Sequence, residues 1–397
     1  LSWKGSRGCR KKYFKNPQWL RNIKDRKYPF YRIDTLFSEK KFMNCAIIKN
    51  GGWHFTNIKT AEEIKYKLKS YLHHIEFDKN PLTTDQIDQI IKDKIAVYDL
   101  SADQKHNKWS STIEPVLTVP SGSVIQAETS EASDGQLHKN ATLDDLINLD
   151  FGPIHPLTGP VYVEEAEVGD ILAVDIIDIE LHDYGWQAIV SGFGFLSDRF
   201  KDPKLSIHEI DKNSNSIVFK DKVKIPLKPF PGVMGVAPNT TEMLSTIPPR
   251  ENGGNMDDPG MVKGSTVYFP VLVKGALFSI GDAHAVQGYG EVCGTALEAP
   301  MTFTYRLRVI KDSAPIKEPQ YETDEFYAVT GFGASIDIAT KKAVNYMVDH
   351  LTANYDISDE EAYMLCSLVG DLKIAEVVDV PNMLVTMHIP KSVISQL

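Results

Sequence analysis

Apolar side chains follow two different spacings along this chain of 397 residues. In residues 59–75 and 84–96 they recur every three or four positions, which predicts two amphipathic helices. This pattern ends near Trp109. We therefore expect a small, mostly α-helical segment at residues 1–109, followed by a second domain at residues 110–397.

After Trp109, short apolar runs alternate with Gly, Pro and Asp, which is typical of β-strands joined by turns. The clearest of these runs are residues 112–129, 159–181, 216–230 and 264–282. Helical spacing returns at residues 337–351 and 358–372, and an apolar run at 382–390 predicts a final strand. The sequence thus predicts a mainly β fold, a sandwich or barrel, with a few C-terminal helices.

Charge divides the chain in a similar place. Residues 1–100 contain 21 Lys and Arg against 11 Asp and Glu, whereas the remaining residues contain 22 against 42. The formal net charge of −10 therefore combines a basic N-terminal region with an acidic body. The basic residues are dispersed among aromatic ones without a repeat or an RNA-binding signature, so nucleic acid is not an expected partner.

No segment of the sequence predicts association with a membrane. The longest apolar run, residues 266–280, includes Lys274 and Gly275 and is too short to span a bilayer. The opening residues show no apolar core of the signal-peptide kind. The four cysteines are scattered without metal-binding spacing, which is typical of reduced thiols, and we expect a cytoplasmic protein.

The densest cluster of candidate chemistry is the glycine-rich segment GDAHAVQGYGE, residues 281–291. If the segment is extended, Asp282 and His284 project to the same side and offer an oxygen and a nitrogen ligand to one divalent cation. Zinc suits this pair best, and calcium is the alternative. Glu291 is the candidate general base or a further ligand, and Gln287 a candidate substrate-binding residue. The alternative interpretation is a polar hairpin turn.

A second polar loop follows Arg250 and offers side-chain amides that can bind an amide substrate. Its candidate substrate-binding residues are Asn252, Gly254, Asn255 and Asp257. An Asn side chain both donates and accepts hydrogen bonds, as the NH2 and C=O groups of an amide require. A cluster of β-turns is the alternative interpretation of this loop.

Two further candidate metal ligands come from distant parts of the chain. Asp134 lies in a DGQ triplet, and His155 lies in GPIHPLTGP, where prolines stiffen the loop. With Asp282 and His284 they would complete a metal site. Such a site lowers the pKa of a bound water to about 7, which activates the water for attack on an amide.

Cys293 offers a different mechanism, because a thiolate can attack an amide carbonyl directly. No GxSxG segment supports a serine hydrolase of the α/β type. Cys293 lies in EVCGTALE, a predicted strand, where a small buried thiol is the more common role. The sequence therefore leaves a metal-activated water and a cysteine nucleophile as the two candidate mechanisms.

Residues 112–397 resemble the acetamidase/formamidase family over nearly the whole length of such an enzyme. The resemblance rests on long motifs that occur in the same order. These are IEPVLTV, DGQ, HPLTGPVYVEEAEVGD, FPGVMGVAP, PPRENGGNMD, GSTVYFPVLVKGALFSIGDAHAVQGYGEVCGTALE and SDEEAYMLCSLVGDLKIAEVVDVPN. The resemblance implies a mostly β enzyme that hydrolyses small aliphatic amides, such as formamide and acetamide, to carboxylate and ammonia.

The resemblance also favours an active site over a turn at residues 281–291, because the densest family motif falls there. Members of the family commonly carry GDGE where this chain has GYGE, so Tyr289 replaces an acid. If that acid is a ligand, metal binding is weakened; if it only orients the loop, tyrosine can substitute. We expect a metal-dependent amidase that acts as a homodimer on a small amide.

Residues 13–109 resemble a different family, the C-terminal part of family-17 glycosyltransferases, which add N-acetylglucosamine to glycans. The stretches that carry this resemblance are NPQWLRNIKDRKYPFYRIDTLF, GGWHFTNIKTAEEI and SYLHHIEFD. The half of such an enzyme that binds the donor sugar does not precede them. We therefore expect an inactive fragment fused to the amidase domain, and a glycan-related function of this segment is the alternative.

Overall fold

The structure is a computed structural model, and it describes residues 97–397. The helices predicted at residues 59–75 and 84–96 lie outside the described residues, as does most of the glycosyltransferase-like stretch 13–109. Residues Ile95–Leu397 form one compact unit. In the described part of the chain, no helix combines the length and the apolar character needed to cross a membrane.

Strands dominate this unit. The strands are β1 (Val97–Leu100), β2 (Lys105–His106), β3 (Lys108–Trp109), β4 (Leu117–Val119), β5 (Val124–Thr129), β6 (Leu157–Val163), β7 (Ile171–Leu181), β8 (Tyr184–Ile189), β9 (Lys204–Glu209), β10 (Ser216–Phe219), β11 (Val223–Pro226), β12 (Phe230–Gly235), β13 (Leu244–Ser245), β14 (Gly253–Asn255), β15 (Thr266–Pro270), β16 (Phe278–His284), β17 (Met301–Ile310), β18 (Gln320–Glu322), β19 (Phe326–Gly333), β20 (Asp371–Glu376) and β21 (Met383–Pro390). The helices are α1 (Leu143–Ile147), α2 (Ile336–Asn354), α3 (Asp359–Val369) and α4 (Lys391–Ile394). The prediction of a mainly β fold with a few C-terminal helices is confirmed for the described residues.

Two sheets face each other across the main core. The large sheet has the strand order β1-β5-β17-β7-β15-β18-β19-β21-β20, and the small sheet has the order β14-β12-β16-β6-β2. Phe269 and Phe303 of the large sheet share one buried cluster with Phe278, Ile280 and Met234 of the small sheet. Burying such apolar surface between two sheets is the main stabilising term of a sandwich, about 25 cal/mol per Å² removed from water.

Helices cover one end of the large sheet. Buried residues of α2, such as Met347 and Leu351, pack with Val385 and Met387 of β21. The long helix begins where the Ser335 side chain accepts a hydrogen bond from the backbone N–H of Ile338. Helix α3 follows α2 and leads directly into β20, which is an edge strand of the large sheet.

The first described strands are part of the same body. Strand β1 pairs in parallel with β5, and β2 pairs with β6 of the small sheet. Trp109 of β3 is fully buried against Leu157 and Val233. Residues 97–109 thus belong with the strands that follow, on the other side of the boundary expected at 109/110. Two-residue strands such as β2 and β3 show no periodicity, so their sequence carried no signal for this assignment.

Candidate active site

Asp282 and His284 lie at the end of β16, the central strand of the small sheet, and every residue of this strand is buried. The side chains reach the same side of the strand, and Nε2 of His284 is 3.6 Å from Oδ1 of Asp282. Both residues are at most 2% exposed. A buried ionisable pair of this kind needs further charges or hydrogen bonds to offset its lost hydration.

Asp257 joins this pair from the neighbouring strands. Strand β12 lies between β14 and β16, and its Gly232 carbonyl accepts the backbone N–H groups of Met256 and Asp257. This turn places Oδ1 of Asp257 3.4 Å from Nδ1 of His284. A loop that follows β14 therefore delivers a third metal-binding side chain to the end of β16.

Further carboxylates complete an enclosed group that we call the acidic cluster. Its members are Asp257, Asp282, Glu291, Glu298, Glu376 and Asp379, and each is at most 7% exposed. Glu298 forms a β-bridge with His284, and its Oε2 lies 3.1 Å from Nε2 of that ring. Oδ2 of Asp379 accepts a hydrogen bond from Nδ2 of Asn255 at 2.7 Å.

Three sets of residues within the described range bring one ligand atom each to within 4.8 Å of one another. The sets are Asp257, Asp282 and His284; His284, Glu291 and Glu298; and Asp257, Glu291 and Asp379. Each set combines buried oxygen ligands, and two of them add the imidazole, which suits a divalent cation such as zinc.

The pKa values of the cluster reflect a shortage of positive charge. Burial raises the pKa of Glu298 to about 7 and that of Glu376 to about 8. Burial and the neighbouring Asp257 carboxylate raise the pKa of Glu291 well above its usual value. Asp282 is the exception, because the two imidazoles of His155 and His284 outweigh burial and lower its pKa to about 2.

His284 carries the opposite shift. Burial alone would lower its pKa, but the carboxylates of Glu298 and Asp282 raise it well above the usual value. Its Nδ1–H donates to Oε1 of Gln287 at 2.8 Å, and Nε2 of Gln287 donates to the Asp257 carbonyl at 2.8 Å. Gln287 therefore fixes the ring so that Nε2 faces Asp282 and Glu298, as an outer partner does for a metal-binding histidine.

The donor set fits a divalent cation. Both carboxylate oxygens of Asp257 and Oδ1 of Asp282 are buried and receive no hydrogen bond from any described residue. A buried carboxylate without a donor is costly, and a bound cation supplies the missing counter-charge. These orphaned oxygens lie beside Nε2 and Nδ1 of His284, so oxygen and nitrogen ligands are available at one place.

The two distant candidate ligands occupy different positions. His155 lies beside the cluster, with its Nε2 3.8 Å from Oδ2 of Asp282. Asp134 forms a close ion pair with Lys105, and its side chain is 20% exposed. Neither residue is a member of the three described ligand sets. Asp134 thus has a counter-charge of its own, whereas the His155 ring lies next to the Asp282 carboxylate.

The backbone of the site departs from regular geometry. Of eleven non-glycine residues with positive φ in the described region, five are predicted site residues: Asp134, His155, Asp257, Asp282 and Glu291. Asp and His tolerate this left-handed region, but for Glu291, with φ 44°, it is unfavourable by about 1–3 kcal/mol. Such strain is concentrated at functional sites, where surrounding contacts fix an otherwise rare conformation.

The predicted substrate-binding residues are mostly internal. Nδ2 of Asn252 donates to the Val236 carbonyl, and Gly254 lies in the buried strand β14. Asn255 binds Asp379, and Gln287 has both ends of its amide engaged. In this geometry these side chains hold the acidic cluster in place, and the exposed surface near it belongs to the segment that follows Gln287.

Tyr289 and Cys293 lie in that segment, outside the acidic cluster. The Tyr289 ring is 41% exposed and lies 5.1 Å from the Nζ of Lys373. Sγ of Cys293 donates to the Ala188 carbonyl at 3.4 Å, and burial raises the pKa of this thiol. A thiol with a raised pKa is a poor source of thiolate, which weakens the case for a cysteine nucleophile.

Sequence reasoning missed three carboxylates of the cluster. Glu298, Glu376 and Asp379 were assigned no role from the sequence. Glu376 ends β20 and Asp379 follows it, in the run EVVDVPN, where acids interrupt an apolar stretch just before a proline. The available signal was the presence of acidic residues in an apolar run, because charged residues are rarely buried unless they are paired.

A separate cavity of about 260 Å³ lies beside α2. Aromatic residues line part of it, including Tyr268, Tyr327, Tyr346 and His350. None of its lining residues belongs to the acidic cluster. The acidic cluster therefore does not line this cavity.

Gly232 of β12 is packed directly against the site. A Cβ at this position would lie 2.5 Å from Oδ1 of Asp257 and 2.8 Å from Cε1 of His284. We therefore expect Gly232→Ala to displace both side chains and to lower the kcat/KM of any reaction catalysed at this site by about 10²-fold. Gly288→Ala is the matched control, because a Cβ there meets nothing within 4 Å. Equal activity of the two variants in a steady-state assay would contradict this packing argument.

Comparisons with known proteins agree with the fold. Residues 93–245 and 240–396 match the model of the Acetamidase/Formamidase family. A formamidase of Methylophilus methylotrophus is 27% identical over 73% of this chain and 89% of its own length. An acetamidase of Mycolicibacterium smegmatis is 30% identical over 48% of this chain and 62% of its own length.

Solved structures show the same likeness. A predicted acetamidase/formamidase from Thermoanaerobacter tengcongensis superposes with a TM-score of 0.72 at 32% identity, covering 76% of this chain and 97% of its own. The family match begins at residue 93, so most of the glycosyltransferase-like stretch 13–109 lies outside it. The fusion of a glycosyltransferase fragment stays a prediction from the sequence.

Proposed function

The chain belongs to the acetamidase/formamidase family and is an amidase, and from this premise we propose that it hydrolyses small linear amides such as formamide and acetamide with a divalent cation. The ligands of the cation in this proposal are Asp257, Asp282 and His284. The observation that carries the proposal is the set of buried carboxylate oxygens without hydrogen-bond donors beside the imidazole. Zinc suits the mixed oxygen and nitrogen ligands, and calcium is the alternative.

A cation bound there would act as a Lewis acid that polarises the amide carbonyl and makes water a stronger acid. The protein's own residues must then move protons, because the amide nitrogen leaves only after it is protonated. Asp282 carries the negative charge that this arrangement needs, since its pKa is lowered to about 2 by His155 and His284 despite burial.

Glu291 is the proposed general base. At 7% exposure it is the most accessible carboxylate of the acidic cluster, and it follows the exposed residues Gly288 and Tyr289. Its carboxylate accepts a proton from the attacking water as the water oxygen bonds to the amide carbon. The same proton passes to the amide nitrogen, the C–N bond breaks, and the carboxylic acid and ammonia result; the acid then gives its proton to ammonia or water and becomes the carboxylate. A raised pKa suits a group that must both take up and release a proton.

Other residues of the site position these groups. Gln287 orients the His284 ring through Nδ1, and Asn255 holds the Asp379 carboxylate. The buried, donor-poor surroundings strengthen each electrostatic interaction with the substrate. Because the acidic cluster is enclosed, a substrate of formamide or acetamide size fits this function best.

Two further expectations accompany this proposal. Cys293 and Cys366 are free thiols, which fits the cytoplasmic location that the sequence predicts. A homodimer is the expected assembly, and small amides are the only expected substrates.

The direct test is release of ammonia from small amides. We expect the purified full chain to release ammonia from formamide or acetamide. This release should stop after dialysis of the protein against a chelator and resume when zinc or calcium is restored. A coupled ammonia assay, with the metal content measured in parallel, gives the result. Full activity in protein shown to contain less than one metal ion per hundred chains would contradict the metal mechanism.

The cysteine mechanism makes the opposite prediction. We expect Cys293→Ala to retain kcat/KM within about threefold, because this thiol donates to a carbonyl and its pKa is raised. The control is Cys366→Ala, which removes a buried thiol of α3 that packs in the helical core. Loss of amidase activity in the Cys293 variant alone, with its fold and metal content intact, would favour a thiol nucleophile.

A further inference from the structure

The cavity beside α2 lies over one face of the large sheet. Strand β18 runs between β15 and β19. Its Gln320 lies opposite Tyr268, and its Glu322 lies opposite Tyr327. Opposite residues of a sheet share a face, as do residues two positions apart on one strand. Tyr268, Gln320 and Tyr327 therefore stand on the same face, and all three line the cavity.

Three nearly parallel aromatic rings form a wall of this cavity. The Tyr327 ring stacks on the His350 ring of α2, with 3.9 Å between centroids and 13° between planes. The Tyr268 ring is tilted by 24° from the Tyr327 ring, at a wider centroid distance of 6.4 Å. Because all three residues line the cavity, part of their π surface is open to a ligand. Such a wall favours a flat ring, since stacking brings the largest area of both partners into contact.

Hydrogen bonds hold the two tyrosines of this wall in place. The Tyr268 hydroxyl donates to Oε1 of Glu322, and the Tyr327 hydroxyl donates to Oε1 of Gln320 at 2.6 Å. A wall that is already ordered loses little conformational entropy when a ligand binds. The cavity measures about 260 Å³, whereas about 150 Å³ is enough for benzene in an apolar site. It therefore has room for one flat ring with polar substituents.

The polar groups of the cavity favour a neutral ligand that accepts hydrogen bonds. Among the described residues, the only charged ones in its lining are Lys317 and Asp349, which pair with each other at 3.1 Å. Burial lowers the pKa of His350 to about 4, so its ring is neutral near pH 7. Nδ2 of Asn354 donates to Nδ1 of this ring at 3.3 Å, which leaves the proton on Nε2. Nε2 of His350 and Nε2 of Gln320 are thus N–H donors for which no described residue provides an acceptor.

We infer that this cavity binds a neutral, planar heteroaromatic ring of nucleobase size, as a ligand distinct from the amide substrate. The ring stacks against Tyr268 and Tyr327, and its carbonyl or ring-nitrogen acceptors meet the N–H groups of Gln320 and His350. None of these four residues belongs to the acidic cluster. Binding of the ring is measured without amide hydrolysis, so a protein that binds the ring but hydrolyses no amide would contradict the proposed function and not this inference.

Saturation-transfer NMR of the full chain with uracil tests the inference, and 5,6-dihydrouracil is the matched control ligand. Both molecules carry the same carbonyl acceptors, but only uracil has a planar aromatic ring. We expect uracil to bind with a dissociation constant below about 10 mM, and dihydrouracil to bind about tenfold more weakly. An excess of acetamide should leave uracil bound, because the acidic cluster does not line this cavity. A weaker constant for uracil, equal binding of the two ligands, or displacement of uracil by acetamide would overturn the inference.

Substitutions in the aromatic wall locate the bound ring. Tyr327→Leu should raise the dissociation constant of uracil about tenfold, because it removes one stacking partner, whereas Tyr327→Phe should keep it within about threefold. Tyr363→Leu is the matched control, since Tyr363 is 63% exposed on α3 and does not line the cavity.

A second variant covers the case in which Tyr327→Leu does not fold, because Tyr327 also packs against the helical core. Tyr268→Leu changes a ring of β15 outside that core and should weaken uracil binding by a similar factor. Thermal melting verifies that each variant is folded. Unchanged uracil binding in the folded leucine variants would place the ligand elsewhere and contradict the inference.

Discussion

Replacing Asp282 with asparagine is expected to abolish binding of the proposed cation and to lower kcat/KM for amide hydrolysis by about 10³-fold or more. Asp282 is 2% exposed and carries its negative charge where two imidazoles face it. Asparagine keeps the size of the side chain and tolerates the same positive φ of 46°, so the backbone is preserved. Metal content and ammonia release are measured on the same preparation.

The matched control for this change is Asp312→Asn. Asp312 also has a positive φ, at 55°, but it is exposed and lies outside the acidic cluster. It therefore reports what the change from Asp to Asn does to a left-handed residue in the absence of the site. We expect normal metal content and activity in this variant. An Asp282→Asn protein that keeps its metal would exclude Asp282 from the ligands.

The β architecture was readable from the sequence because alternation and turn residues are local signals. The predicted strand runs at residues 264–282 and 382–390 contain the observed strands β15, β16 and β21. Alternation along β16 also placed Asp282 and His284 on the same side, at 3.6 Å between ligand atoms. These features need only the geometry of a single strand.

The remainder of the site depends on pairings between distant segments. Asp379 reaches the cluster because β20 crosses next to Gly290, a contact that no spacing in the sequence records. Gln287 was a candidate for substrate binding, yet its amide is engaged by His284 and Asp257. Residue types indicate what chemistry is possible, whereas the partners of each polar atom are fixed by tertiary packing.

The role of residue 289 is a second feature that the sequence alone could not decide. A departure from the family's acid suggested a weakened site, and the sequence alone could not tell a ligand from an orienting group. In the structure, carboxylate oxygens of Asp257, Asp282 and Glu298 lie 3.1–3.6 Å from the ring nitrogens of His284, and residue 289 is not a member of the acidic cluster. The Tyr289 ring instead faces the Lys373 ammonium at the edge of the large sheet.

Glu291→Gln is expected to lower kcat by about 10²–10⁴-fold while the metal content and KM stay near the wild-type values. The glutamine side chain has nearly the same shape and meets the same positive φ, but it cannot accept a proton from water. The result separates a general base from a ligand, because Glu291 is also a member of two of the three ligand sets. Single-turnover ammonia release and metal content are the two measurements.

Asp379→Asn is the comparison that completes this test. If the cation is held by Asp257, Asp282 and His284, then Asp379→Asn and Glu291→Gln should both retain it. If it is held instead by Asp257, Glu291 and Asp379, both variants should lose it together with activity. The exposed Glu114→Gln controls for the change from Glu to Gln and should behave as wild type. Joint loss of the metal in the two cluster variants would therefore assign Glu291 as a ligand and not as the base.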